Sequence, residues 1–347
     1  MPPKPAPARV LTQRELNRAL LARQHLLERT TRPIAEVADA IGGLQTQYAP
    51  SGYVGLWSRV EGFRREDLTR ALEDHSMIQA TLMRTTIHMV RRASFWKFAL
   101  GVRRARREWA ARVRVLPPEA ELRAGADRLR QAVQDGPKTV KELGELATGF
   151  VGTLSYWVDL VRVPPSGTWE RRRADRLALA ELWVGPEDAT EEEGIEFLVA
   201  TYLGAFGPAP YRDIAGWAGL SLAMVKDAAA RLDLVTYADE CGKPLIDLRD
   251  APLPDPGTRA PVRFLPHWDA NLLVHARRTG ILPEAHRGRV FSTKNPFSVG
   301  TVLVDGVVAA GWSLVKDRIV LDPFVELSKS DRAAVERQRE ALEAFHR

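Results

Sequence analysis

The chain has 347 residues, which at roughly 150 residues per domain predicts two or three folded units. Its composition, 45% hydrophobic and 27% charged, excludes a wholly disordered protein, and no apolar run reaches the ~18 residues of a membrane span. The single Cys241 excludes an internal disulfide and a cysteine-based zinc cluster, and the first nine residues lack the apolar core of a secretory signal, so a cytoplasmic, nucleoid-associated location is expected.

In chain order, residues 12–28 read as a helix, with Leu16, Ala19, Leu20 and Leu26 at helical spacing and Thr12 with Glu15 as a capping box. Pro33 opens a second helix over 34–41, stopped by Gly42-Gly43. Short helices follow over 53–60 and 66–74. The period then shortens to two over 78–90, the mark of a β-hairpin or wing. A long helix over 94–116 carries Phe95, Phe98, Val102, Ala105, Trp109, Val113 and Leu116 as its apolar stripe, and Pro117-Pro118 ends it.

The same plan is expected to repeat. Helices are predicted over 119–135, 139–148 and 154–162, with a wing over 168–184. A third unit reads as helices over 192–206, 210–218 and 221–232, followed by strands over 235–238 and 244–248. The turn Ala218-Gly219-Leu220-Ser221 suits a helix-turn-helix. A proline-rich linker leads to a β segment, where Asp305-Gly306 joins two strands, a third strand covers 318–325, and a helix over 328–345 closes the chain.

The expected fold is therefore mainly α with β wings (α+β). It comprises winged-helix units over 10–116, 117–186 and 187–250 and a β-rich segment over 251–347, C-shaped around DNA.

The net charge of +6 hides segregation. Residues 91–114 hold nine basic side chains against Glu108, and residues 259–294 hold seven against Asp269 and Glu284. Arginine supplies nearly all of them, and its planar fork suits phosphate oxygens. A segregated basic surface attracts a polyanion, whereas a solvated helix face is the ordinary alternative. Arg103, Arg104, Arg107, Arg277 and Arg278 are the expected phosphate contacts, together with Lys294 and Asn295 from a loop. Arg84, Thr86 and His88 of the first wing join them. His88 also fits a plain cross-strand hydrogen bond.

Gln45-x-Gln47 places two primary amides just after Gly42-Gly43. By themselves they read as satisfying helix-end and turn backbone. Trp268, Asp269 and Asn271 read either as cleft-lining groups or as a packed Trp beside an Asx turn. His267, His275 and His286 match no zinc-ligand spacing, so no metal and no cofactor are expected.

Several blocks in order change this reading. Residues 43–51 around Gln45-Thr46-Gln47-Tyr48, residues 55–59, Met83-Arg84-Thr85-Thr86-Ile87-His88, residues 263–273 and residues 300–312 resemble the HTH_42 family. These are the tandem winged-helix, AlkZ-like bacterial DNA glycosylases, which include AlkZ and AlkX (YcaQ). The resemblance spans roughly residues 10 to 330. AlkZ-type members carry Gln-aliphatic-Gln and AlkX-type members Gln-aliphatic-Asp. The outer pair here is of the AlkZ type, and Thr46 departs from the middle position.

The resemblance implies Gln45 and Gln47 as catalytic residues, Tyr48 and Ser51 beside them in the cleft, and a monomer acting on double-stranded DNA with alkylated purines, away from any membrane. It implies a monofunctional glycosylase for N7-alkylated guanine, including bulky natural-product adducts or interstrand crosslinks, in antibiotic self-resistance or base excision repair. A cationic base leaves as a neutral molecule, so two uncharged amides orienting a water suffice. The rival readings are a non-enzymatic tandem winged-helix transcription regulator and a scaffold that binds damage without cutting.

Overall fold

The computed structural model describes residues 9–146, 151–273, 280–291 and 298–347. The first helix, Gln13–Arg23, starts at Thr12, whose side chain accepts from the Glu15 amide while Glu15 reaches back, the capping box expected from sequence. Helices Ile34–Ala40, Pro50–Arg59 and Arg65–Glu73 follow, then the strands Met77–Thr81 and Ile87–Arg91. These strands pair antiparallel, with Ala80 opposite His88.

The second wing does not stand apart. Strand Leu160–Arg162 pairs with Met77–Thr81, so the two wings fuse into one six-stranded sheet. Its order is Leu44–Gln45, Ile87–Arg91, Met77–Thr81, Leu160–Arg162, Arg176–Leu179 and Lys138–Thr139. The segment expected as a helix over 154–162 is corrected here: only Val151–Leu154 is helical, and strand begins at Leu160. Leu160 and Val161 are buried, and their pairing to Arg176–Leu179 overrides a weak helical pattern.

Helix Phe95–Val113 crosses the middle of the molecule and packs along Glu191–Phe206. Gly101 and Gly194 meet at the crossing. A Cβ on Gly101 would lie 2.7 Å from the Gly194 carbonyl, so only glycine permits this approach. The helix consequently buries Trp96, Ala99, Leu100 and Arg106 besides the expected stripe, while Val113 at its end is exposed.

The segment expected as a third unit contains Tyr211–Ala218, Leu222–Ala229 and the strands Leu234–Asp239 and Pro244–Leu248. The N-terminal strand Val10–Leu11 adds to this wing in parallel. The C-terminal sheet orders Arg263–Leu265, Gly300–Val304, Val307–Val315 and Arg318–Pro323. Phe264, Val302 and Trp312 share an apolar core with Tyr53, Val54 and Leu56 of the first unit. Burying side chains of this size contributes about 1.5–3 kcal/mol each. The closing helix Lys329–His346 brings Phe345 against Trp57 and Trp169, so the chain end lies beside the first unit. No helix among the described residues is long and apolar enough to cross a membrane.

Candidate active site

Gly42 and Gly43 both have φ of +81°, a left-handed pair that ends the preceding helix and turns the chain onto the sheet edge. A Cβ on Gly42 would lie 3.0 Å from the Phe206 ring, so strain and space both demand glycine. Leu44–Gln45 then pairs with Ile87–Arg91, Gln45 standing opposite His88. Thr46 continues the ladder by donating its amide to the Ile87 carbonyl at 2.8 Å.

The turn between the wing strands and the first residue of the second strand hold the two carboxamides. Arg84 Nη2 donates to Gln45 Oε1 at 2.6 Å, and the Ile87 amide donates to Gln47 Oε1 at 3.2 Å. A guanidinium and a backbone N–H can only donate, which fixes each oxygen inward and leaves each NH₂ to face elsewhere. Gln45 is 9% exposed and Gln47 is exposed.

The Thr46 side chain turns the other way. Its Oγ1 accepts from the buried Gln79 Nε2 at 3.0 Å, and its methyl group would meet a Cβ on Gly52 at 2.9 Å. The departure from an aliphatic residue is thus matched by a polar partner behind the motif.

The site's electrostatics come from two groups. Arg84 has φ 51° and ψ 27°, and donates through Nη1 to the Trp217 carbonyl. Desolvation lowers its pKa to about 10, no carboxylate pairs with it among the described residues, and it remains a cation at neutral pH. His88 is 2% exposed, and desolvation followed by the Arg84 charge pushes its pKa down to about 3. Its Nδ1 lies 3.0 Å from the Thr86 carbonyl, so Nδ1 carries the proton and the ring is neutral. Thr86 itself bonds back to the Met83 carbonyl at 3.0 Å and shapes the turn.

Tyr48 borders a small cavity with Ser51, His267, Trp312 and His346. Its ring meets His267 edge-on at 5.8 Å, and its hydroxyl accepts from Arg172 Nη1 at 3.1 Å. Ser51 is buried and its Oγ has no hydrogen-bond partner among the described residues. Trp268 is half-buried at φ 63°, its amide bonded to Ser298 Oγ.

Asp269 and Asn271, expected to line a cleft, lie inside instead. Asp269 Oδ2 accepts from Arg59 Nη2 at 2.9 Å, Asn271 Nδ2 donates to Asp269 and Gln24, and both are under 9% exposed. This network ties the first helices to the C-terminal sheet, and Asp269 neutralises the buried Arg59 guanidinium.

On the long helix, Arg106 is buried, whereas Arg104 and Arg112 are exposed. Arg103 pairs with Asp159 at 2.7 Å and Glu187, and Arg104 with Glu191 at 2.9 Å. Arg107 donates to the Tyr156 carbonyl and stacks on Trp157. Arg277, Arg278, Lys294, Asn295 and His275 lie outside the described residues.

The family model for AlkZ-like DNA glycosylases matches residues 38–345. The chain belongs to this DNA glycosylase family. The glycosylase has the fold of the Streptomyces sahachiroi DNA glycosylase AlkZ, with a TM-score of 0.80 at 19% identity over 97% of each chain. No curated protein sequence matches it.

It is an enzyme acting on DNA, which answers both the regulator and the passive-scaffold readings. The helix of its third unit that would read a groove, Leu222–Ala229, exposes Lys226 and Asp227, whose charges cancel. The sequence reading passed over Arg172. Its guanidinium lies 5.9 Å over the Tyr48 ring, and among the described residues neither it nor Arg171 forms an ion pair. The signal was the run Arg171-Arg172-Arg173 directly before the second wing's strand.

Proposed function

We propose that this glycosylase hydrolyses the N-glycosidic bond of N7-alkylated, cationic guanine, with Gln45 and Gln47 holding the attacking water. The observation that carries this reading is that one wing hairpin, through Arg84 of its turn and Ile87 of its strand, holds both carboxamides beside a histidine locked in its neutral form. A histidine with a pKa near 3 has no proton to give at neutral pH, and an amide has none either. The site therefore favours a leaving group that needs no protonation.

In an N7-alkylguanine the C1′–N9 electron pair flows into a ring already positive, and the base departs neutral. The water oxygen bonds to C1′, and its proton passes to solvent. The products are free base, an abasic sugar and a proton. Each carboxamide oxygen keeps one lone pair beyond its protein donor, and each NH₂ keeps its donors, so the pair can orient a water from both ends.

The position of the motif supports a broad range of adducts. Gln47 is exposed at a sheet edge, and Leu44–Gln45 is a terminal strand. A bulky adduct or an interstrand crosslink meets that edge without entering a deep pocket, which fits self-resistance or repair. Exposed Arg171 and Arg172 would hold phosphates close by.

Single-turnover excision on a duplex with one N7-methylguanine tests the reading. Gln45→Ala/Gln47→Ala should lose most of the rate with folding intact, and release of base at the wild-type rate would overturn the assignment. The wild-type rate should also stay flat between pH 6 and 8, because the histidine beside the two amides, His88, has its pKa pushed down to about 3 by burial. In competition, bulky N7 adducts should be processed at least as well as 3-methyladenine, a lesion that is equally cationic but small; a preference for that small lesion would refute the tolerance.

A further inference from the structure

We infer that Arg84 is a positioning residue, which sets the orientation of the Gln45 carboxamide and links it to the third helical unit rather than gripping a phosphate. The inference rests on the reading of Gln45 as a water-holding group. Nη2 donates to Gln45 Oε1 at 2.6 Å while Nη1 donates to the Trp217 carbonyl. Trp217 sits near the end of helix Tyr211–Ala218, and is itself 1% exposed. The fork thus spans from a rigid interior element to a side chain on the sheet edge.

The backbone around Arg84 is built for this reach. Arg84 and Thr85 both take left-handed φ values, 51° and 59°, a conformation that costs of order 1–3 kcal/mol for such residues. Gly219, at φ +77°, closes over it, and a Cβ there would lie 3.3 Å from the Arg84 amide nitrogen. A phosphate-binding arginine on a surface loop needs none of these constraints. A guanidinium that must present two N–H groups in fixed directions does.

The chemical consequence is direct. A charge-assisted hydrogen bond to Oε1 prevents the carboxamide from flipping and keeps its NH₂ directed away from the guanidinium. It also draws electron density from the amide nitrogen, which makes those N–H groups better donors. Without Arg84, Gln45 would sample both orientations and several rotamers.

The test is a mutant cycle on the N7-methylguanine duplex, reading single-turnover excision rate and duplex Kd separately. Arg84→Ala should slow excision by about a hundredfold, the scale of a small misplacement at a reacting centre, with Kd changed by less than about threefold. In a Gln45→Ala background the same substitution should add nothing, because the residue it positions is gone. Guanidinium ion added to Arg84→Ala should restore part of the rate.

Multiplicative effects of the two substitutions, or a loss confined to Kd, would overturn the inference. So would a wild-type rate for Arg84→Ala where Gln45→Ala is slow. A wild-type rate for Gln45→Ala would instead remove the reading it rests on. If Arg84→Ala does not fold, Arg84→Lys serves: it keeps the charge and loses the two-pronged geometry, so a wild-type rate would again count against the assignment.

Discussion

The turn at Arg84 and the pair Arg103 and Arg104 on the helix Phe95–Val113 hold their guanidiniums in opposite ways. On the helix, Arg103 and Arg104 face Asp159, Glu187 and Glu191, and Arg106 is buried against the Ser155 carbonyl. In the turn, Arg84 faces a carboxamide and a backbone carbonyl, with no opposing charge among the described residues. The density of basic residues along the chain is high in the first case and ordinary in the second. A field that a polyanion senses comes from charge left uncompensated, which among the described residues means Arg84 in the turn and Lys97, Arg107 and Arg112 on the helix, not the full count of basic residues.

The largest effect that separates architecture from site concerns Asp269. Asp269→Ala would strand the Arg59 guanidinium, whose side chain is 2% exposed, and should cost about 3–5 kcal/mol in urea unfolding. Weakened DNA binding at unchanged stability would return Asp269 to the DNA-facing surface. Next is the rear of the motif. Thr46→Val leaves Gln79 Nε2 buried and unpaired, a loss of about 1–3 kcal/mol, and Gln79→Leu in the same chain should recover most of it. A Thr46→Val protein as stable as the wild type would show that the pair contributes nothing.

A third effect belongs to pH, and distinguishes the edge from the arginine helix, which contains no histidine. The folded pKa of His88 lies near 3, below the unfolded value of about 6.5, so the unfolded chain takes up the proton first. The stability tied to neutral His88 is complete above about pH 6.5 and declines as pH falls toward 3. Between pH 7 and 5 it should fall by about 2 kcal/mol, and His88→Gln should remove that portion of the pH dependence. Equal slopes for the two proteins in urea titrations at the two pH values would show that His88 is not held neutral.

Much of the fold was legible because its signals are local. The Thr12–Glu15 capping box, the Asp305-Gly306 turn and the apolar stripe of the long helix each need only a few neighbouring residues. What was not legible depended on partners far along the chain. Leu160–Arg162 becomes a strand because Gln79 and Ala80 offer an edge, and Asp269 goes inside because Arg59 needs it. The site divides in the same way. Gln45 and Gln47 stood out through the family resemblance, whereas the pairing of Thr46 with Gln79 and the reach of Arg84 to Trp217 exist only after folding.

The smallest effect is the one that decides between the two basic regions. Each phosphate contact released by mutation should reduce the slope of log K against log salt by about 0.9. Arg172 is exposed beside Tyr48 with no ion pair among the described residues, so Arg172→Ala should lower the slope by about that amount while its affinity loss at a single salt concentration stays modest. Arg103→Ala/Arg104→Ala removes two positive charges from the denser region, yet frees the carboxylates of Asp159, Glu187 and Glu191 that they neutralise. Its main expected result is looser packing of the second and third units, with the slope within about 0.3 of the wild type. Fluorescence anisotropy on an undamaged duplex across a salt series measures both. A slope that fell by about 1.8 for the double variant and stayed fixed for Arg172→Ala would reverse the comparison, placing DNA along the long helix rather than at the edge that holds Gln45 and Gln47.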